Sequence, residues 1–203
     1  MTDIKVSKNI EEAAEYLKKG RIVIAPTDTL YGILADALNK DAVEKVYRLK
    51  GRTPTKPVIV LIPQLEFLDL FCVKPSEREK KLLIHRGITV VIDLQDDCKE
   101  RFFYLHRGKG SLGFRIPDSD QLIKVMERIE RPLIAPSANP EGKKPAEDID
   151  QAVSYFGSKV DLYIDGGTVK GKEPSTVVKI DNGITVIREG SIKKDEIKRL
   201  LEG

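Results

Sequence analysis

Two short stretches of this 203-residue sequence place the same kinds of side chain at the same point. "VIAPTDTL" (residues 23–30) and "LIAPSANP" (residues 133–140) each end an apolar run in Ile-Ala-Pro and then present hydroxyls and short polar groups. Proline cannot donate to a strand ladder, so each marks where pairing stops and a fixed turn begins. Thr27, Thr29, Ser137 and Asn139 therefore stand just past strand ends, where the loops of open α/β sheets gather polar groups over a rigid base. A third stretch, "LKGRTPTKP" (residues 49–57), adds charge. A helix ends near Lys50, because Gly51 follows and Pro54 forbids continuation. Across that break Lys50 and Arg52 can reach one cavity, beside a helix C-terminus that favours cations. A mobile point charge beside a planar fork that takes phosphate oxygens in pairs suits a triphosphate. Taken singly, each stretch also fits turns, caps and solvated charges.

Other chemistries lack support. Neither GxGxxG nor GxxxxGK[ST] occurs, which leaves a Rossmann cofactor or a P-loop nucleotide without a motif. Without a Ser-His-Asp set or a pair of motif-placed carboxylates, an enzyme built from these residues would work by positioning and charge neutralisation. Cys72 and Cys98 form neither a CxxC pair nor a disulfide framework, and they read as ordinary buried or half-buried thiols. With His85 and His106 the only histidines, a dedicated zinc site is not expected. Lys plus Arg number 35 against 32 Asp plus Glu, so a net charge of +3 excludes a histone-like blanket and leaves room for a local basic site. "MTDIKVSKNI" lacks an apolar signal core and no window approaches a membrane span, so a soluble, cytoplasmic protein without a membrane partner is expected.

The elements that must position these residues alternate. Ser7 can cap a helix over residues 8–19 that Gly20 stops, and "RIVIA" follows as a buried strand. After "PTDTLYG" the spacing of Ala42, Val43, Val46 and Leu49 predicts a helix from residue 39 or 40 to 49. Strands are predicted at "PVIVLI", "ITVVIDL", "SLGFRI" and "RPLIA", with helices at "PSEREKKLLIHR" and "DSDQLIKVMERIE" between them. The remainder reads as a helix over 146–156, strand "VDLYID", strands "STVVKI" and "TVIRE" joined by Asp181-Asn182-Gly183 as an antiparallel hairpin, and a charged helix from about 193. Strands alternating with helices, plus one hairpin, predict a twisted mixed α/β sheet with packed helices in a single domain over residues 1–203.

In order, "PTDTLYG", "KGR", "GFRIP", "SAN", "PSTVV" and "IREG" resemble the YrdC/TsaC family of L-threonylcarbamoyladenylate synthases, over about residues 8–192. The resemblance implies a twisted α/β fold around a large basic cavity. ATP, bicarbonate and L-threonine would be the substrates, with Mg²⁺ arriving on ATP. The products would be threonylcarbamoyl-adenylate and pyrophosphate, and other proteins would transfer the threonylcarbamoyl group to a tRNA adenosine beside the anticodon. By position, Lys50, Arg52, Ser137 and Asn139 match the family's set around ATP and the intermediate, with Lys50 and Arg52 the catalytic pair, and Arg188 matches a nucleotide contact. Arg115 matches the arginine that holds the threonine carboxylate, with Ser175 and Thr27 or Thr29 on the amino-acid side. "HRGIT" (residues 85–89) departs from the family's Pro-Gly-Pro-like turn. The sequence stops soon after "IREG", which resembles the short form of the family.

Two other readings compete. "KERFFYLHRGKG" (residues 99–110) interleaves Arg101, Arg107 and Lys109 with Phe102, Phe103 and Tyr104, as in modules that bind tRNA or double-stranded RNA. Aromatic side chains turned into a core beneath a basic loop explain the same pattern. Related domains also activate carbamoyl groups in hydrogenase maturation, usually within larger fused proteins carrying zinc-binding parts.

Overall fold

The computed structural model describes residues 3–170 and 173–202. Its strands are β1 (Val6–Ser7), β2 (Val23–Pro26), β3 (Tyr31–Asp36), β4 (Ile59–Leu61), β5 (Ile88–Asp93), β6 (Ser111–Arg115), β7 (Leu133–Ile134), β8 (Leu162–Ile164), β9 (Thr176–Ile180) and β10 (Ile184–Arg188). Its helices are α1 (Glu12–Lys18), α2 (Lys40–Lys50), α3 (Glu77–Leu83), α4 (Asp96–Lys99), α5 (Phe103–His106), α6 (Asp120–Ile129), α7 (Ile149–Phe156) and α8 (Lys194–Glu202). The strands form one mixed sheet in the order β1-β8-β2-β3-β7-β4-β6-β5-β9-β10, which is the α/β architecture the sequence predicts.

Helix ends follow local chemistry. Asn39 accepts from the Ala42 amide to start α2, and Gly51 ends it in the left-handed region at φ 60°. Ser76 and Glu79 close a reciprocal capping box on α3. Ser7 caps no helix end: its hydroxyl accepts from the Asn9 amide and donates to Glu12, and α1 begins after a turn.

Side-chain alternation sorts the apolar residues onto two faces. Ile24, Ile33, Val60, Val90, Leu112, Phe114 and Ile134 point to the larger core, which α2 and α7 help cover. Val23, Ala25, Leu34, Leu61 and Leu133 point the other way, where they meet Ala13, Ala14 and Leu17 of α1 and Leu122, Val125 and Met126 of α6. Those two helices cover the β8-β2-β3-β7 part of this second face and reach Leu61 of β4. Toward β6, β5, β9 and β10 the same face carries Val91, Gly113, Val177 and Ile187, which line an open apolar recess of about 340 Å³.

"YGILAD", to which the sequence pattern assigns no element, continues from the first polar turn as strand β3, and all six of its residues are buried. Thr27 and Thr29 thus sit in the turn of a β2–β3 hairpin. Cys72 and Cys98 are disulfide-bonded with their Cα atoms 6.2 Å apart, not free thiols. Their separation of 26 residues closes a loop, an arrangement that stabilises a fold by about 3 kcal/mol. The sequence placed them without the turn that joins them: Cys72, at φ 52°, ends a 3-10 helix over Leu65–Phe71, and its carbonyl accepts from the Gln95 amide.

Candidate active site

The two Ile-Ala-Pro segments meet side by side through β3. β2 pairs with β3 and β3 with β7, both antiparallel, and the pairing extends into the polar turns through a bridge between Gly32 and Ser137. Only glycine fits at position 32, because a Cβ there would lie 2.8 Å from Thr27 Cγ2 across the β2–β3 hairpin. The two turns form one end of a chamber of about 330 Å³, and β6, β9 and β10 supply the other.

Seven of the candidate residues line that chamber: Thr27, Thr29, Arg52, Arg115, Ser137, Ser175 and Arg188. Arg52 comes from the loop after α2, Arg115 from the end of β6 and Arg188 from the end of β10, so three guanidinium groups from distant parts of the chain face one space. Arg115 points here rather than into the core because Leu112 and Phe114 occupy the other face of its strand. Arg188 donates to the Ser175 carbonyl at 2.9 Å, and the Ser175 hydroxyl bonds with the buried Thr89 hydroxyl at 2.8 Å. Desolvation and the nearby Arg115 lower the pKa of Arg188 from its ordinary value, yet a guanidinium stays charged in proteins. No carboxylate lines the chamber among the described residues.

Lys50 and Asn139 lie behind the wall rather than in it. Lys50 belongs to the last turn of α2 on its buried side and is 4 % exposed. Its Nζ donates to the carbonyls of Ser137 and Asn139, the latter at 2.6 Å, and to Asn139 Oδ1 at 3.3 Å. This corrects the expectation of a mobile charge, since the helix runs one residue further than its apolar spacing predicts and carries the ammonium inward. Burial, then Arg52, lower Lys50 to about 8, while the charge of Glu141 opposes that drop. Asn139 Oδ1 also accepts from the Ser137 hydroxyl at 2.6 Å, and Asn139 Nδ2 donates to the carbonyls of Pro140 and Lys143. Lys50, Ser137 and Asn139 are therefore one hydrogen-bonded unit. The Thr27 hydroxyl is similarly committed, donating to the Leu30 carbonyl at 2.6 Å and accepting from the Thr29 and Leu30 amides.

Two acidic residues escaped the sequence reading. Asp28 pairs with Arg115, their side chains 4 % and 8 % exposed, and its Oδ2 accepts from the Asp118 amide at 2.9 Å. Asp28 Oδ1 and Arg115 Nε are buried without hydrogen-bond partners among the described residues. Glu141 follows the Ser137–Asn139 turn and binds the loop that carries Arg52. Position inside "PTDTL" was the one available hint for Asp28, and Glu141 had none.

In the basic-aromatic segment, Phe102 and Tyr104 are buried and Phe103 is exposed. Arg107 stacks on Tyr47 at 3.8 Å and pairs with Glu44 at 2.8 Å, with 11 % of its side chain exposed. Among the described residues, no helix is long and apolar enough to cross a membrane.

The Sua5_yciO_yrdC family model, described as "Telomere recombination", matches residues 15–190. A curated Pyrococcus abyssi protein named threonylcarbamoyl-AMP synthase is 30 % identical over 98 % of this chain and 60 % of its own length. A Methanocaldococcus jannaschii protein named putative threonylcarbamoyl-AMP synthase is 34 % identical over 93 % of this chain and 91 % of its own. The crystal structure of P. abyssi Sua5 complexed with L-threonine superposes with a TM-score of 0.87 at 27 % identity, over 98 % of this chain and 61 % of that one. The chain thus spans about three-fifths of the P. abyssi protein.

Proposed function

This chain belongs to the Sua5_yciO_yrdC family, and from that membership we propose that it makes L-threonylcarbamoyl-adenylate and pyrophosphate from ATP, bicarbonate and L-threonine. One observation carries the reading: Arg52, Arg115 and Arg188 converge on a chamber whose other polar liners are neutral hydroxyls. Every reactant brings negative charge, so the main barrier is gathering anions, and fixed guanidinium groups in a partly desolvated site lower it.

Arg115 receives the threonine carboxylate, and Asp28 holds its guanidinium in place. Thr29 is the hydroxyl of the first turn left to contact the amino acid, because Thr27 braces the turn itself. Ser175 lines the same side. The threonine nitrogen bonds to the carbon of bicarbonate and water leaves, giving a carbamate. A carbamate oxygen then bonds to the α-phosphorus while the bond to the β-phosphate oxygen breaks, and pyrophosphate departs with the charge. Arg52 and Arg188 neutralise the phosphates, while Lys50 and Asn139 act from behind the wall by fixing the Ser137 turn. Ser137 offers its oxygen to the nucleotide. The purine enters the apolar recess, which shares Pro57, Val58 and Ile59 with the chamber.

ATP is taken as its magnesium complex. Mg²⁺ would arrive held mainly by the ATP phosphates, and among the described residues no three His, Cys, Asp or Glu side chains gather as metal ligands. The product passes to tRNA threonylcarbamoyl-transfer proteins. Pyrophosphate release measured with each of ATP, bicarbonate and threonine omitted in turn tests the reading, which requires dependence on all three. Dependence on carbamoyl phosphate would favour the hydrogenase-maturation chemistry, and salt-sensitive RNA binding without turnover would favour an RNA module.

A further inference from the structure

Arg52 stands on a loop that little else holds. Thr53, Pro54, Thr55, Lys56 and Pro57 are exposed, and within the segment the Arg52 Nη2 donates to the Pro57 carbonyl at 2.8 Å. The Tyr47 hydroxyl donates to the Lys56 carbonyl at 2.5 Å, which anchors one point. The Arg52 amide donates to the Tyr47 carbonyl at 3.0 Å, its guanidinium lies 5.7 Å from the Tyr47 ring and the Lys56 amide donates to the Thr53 carbonyl at 3.1 Å. The ties from the loop to the Ser137–Asn139 side converge on Glu141. Its carboxylate accepts from the Thr53 amide, from the Thr53 hydroxyl at 3.0 and 3.1 Å, and from the Lys56 ammonium. Its own amide donates to the Lys50 carbonyl at 2.8 Å. One residue, two positions after Asn139, thus grips both sides of Arg52.

We propose that Glu141 is a positioning residue, a clamp that docks the Arg52 loop onto the Ser137–Asn139 turn and pre-sets the guanidinium for a polyphosphate. The inference rests on the proposed nucleotide site and deepens it. A long side chain on a free loop must lose motion when it binds phosphate, and fixing the loop beforehand removes that cost from binding. Exposed ion pairs contribute little to folding, so the clamp's effect falls on the site rather than on global stability. The charge of Glu141 also reaches Lys50, against the opposite effect of Arg52, and the hydrogen-bonded neighbours of that ammonium, Ser137 and Asn139, are uncharged. Lys56 is already paired with Glu141.

Glu141→Ala, Glu141→Gln and Lys56→Gln in the full chain separate the contributions. With Glu141→Ala, calorimetric affinity for magnesium-ATP and for pyrophosphate should fall about tenfold, the KM for ATP should rise in step and the KM for threonine should hold. Hydrogen exchange at the Thr53 amide should accelerate while the Tm stays within a few degrees. Glu141→Gln keeps an acceptor for Thr53 and should recover part of the affinity, whereas Lys56→Gln should lose less than Glu141→Ala. Loss of the Glu141 charge should also lower the pKa of Lys50 in Glu141→Gln, read from the Lys50 side-chain resonance over a pH series, a change that simple loosening does not produce. Unchanged Thr53 exchange together with unchanged polyphosphate affinity would overturn the proposal, as would a parent chain that binds neither probe. A parent chain that binds both but never turns over with threonine and bicarbonate would overturn the reaction and leave the clamp to be decided by exchange and affinity.

Discussion

Asp28 supplies the charge that makes a buried arginine tolerable in this fold, and its removal has a calculable effect. Arg115 is 8 % exposed and donates to an Asp28 side chain that is 4 % exposed. The other charged side chains lining the chamber are Arg52 and Arg188, neither of which can replace the lost carboxylate. Asp28→Asn keeps the side-chain volume and one acceptor for the Asp118 amide while removing the charge. Stranding one member of a buried pair costs about 3–5 kcal/mol. For a chain of about 200 residues that lowers the Tm by roughly 6–20 °C. The stranded guanidinium then seeks another anion, so threonine at millimolar concentration should raise the Tm of the variant more than that of the parent. Threoninol, which lacks the carboxylate, should not. Differential scanning calorimetry with each additive measures both effects. A variant that melts within about a degree of the parent, or that threoninol stabilises as well as threonine does, would refute the assignment of Asp28 as the counter-charge and of Arg115 as the carboxylate site.

Two further outcomes follow from the same geometry. A Cβ at Gly113 would lie 3.2 Å from Thr89 Cγ2 and 3.5 Å from Ile59 Cγ1, on the floor of the apolar recess. Gly113→Val should therefore raise the KM for ATP about tenfold without moving that for threonine, and equal increases in both would contradict a purine in the recess. Lys50 falls from 10.5 in the unfolded chain to about 8 in the fold, so its protonated form is the one the fold disfavours. Below about pH 8 that penalty is fully present. Between 8 and 10.5 the unfolded chain binds the extra proton, so stability rises with pH, by about 3 kcal/mol over the whole span. The difference in urea midpoint between the parent and Lys50→Met, followed from about pH 7 to 10, should shift in favour of the parent, and a flat difference would contradict the burial of this ammonium.

Legibility in the sequence followed the range of the forces involved. Asn39, Gly51, Ser76 and the Asp181-Asn182-Gly183 turn act on their immediate neighbours, and the elements they bound were readable from them. β3 was not, because a strand buried on both faces shows no alternation, and its pairing with β7 and the Gly32–Ser137 bridge join residues about a hundred positions apart. Residue type and order within motifs identified the groups that gather in the chamber. They did not show which face the wall: Lys50 and Asn139 turned out to brace the turn that Ser137 presents. Asp28 and Glu141 owe their importance to partners 87 and 88 residues away, contacts that no local pattern encodes. The disulfide escaped for the same reason, since only the folded turn at Cys72 brings Cys98 within reach.

In the proposed reaction one arginine-lined chamber joins carbon from bicarbonate to threonine and to AMP. Incubating the full chain with ¹³C-bicarbonate, L-threonine and magnesium-ATP, then examining the products by ¹³C and ³¹P nuclear magnetic resonance, tests it most directly. The expected product is a labelled carbonyl bonded to the threonine nitrogen and linked through oxygen to the phosphorus of AMP, formed in equal amount with pyrophosphate. AMP released without labelled carbon attached, or ADP and phosphate as the products, would contradict it.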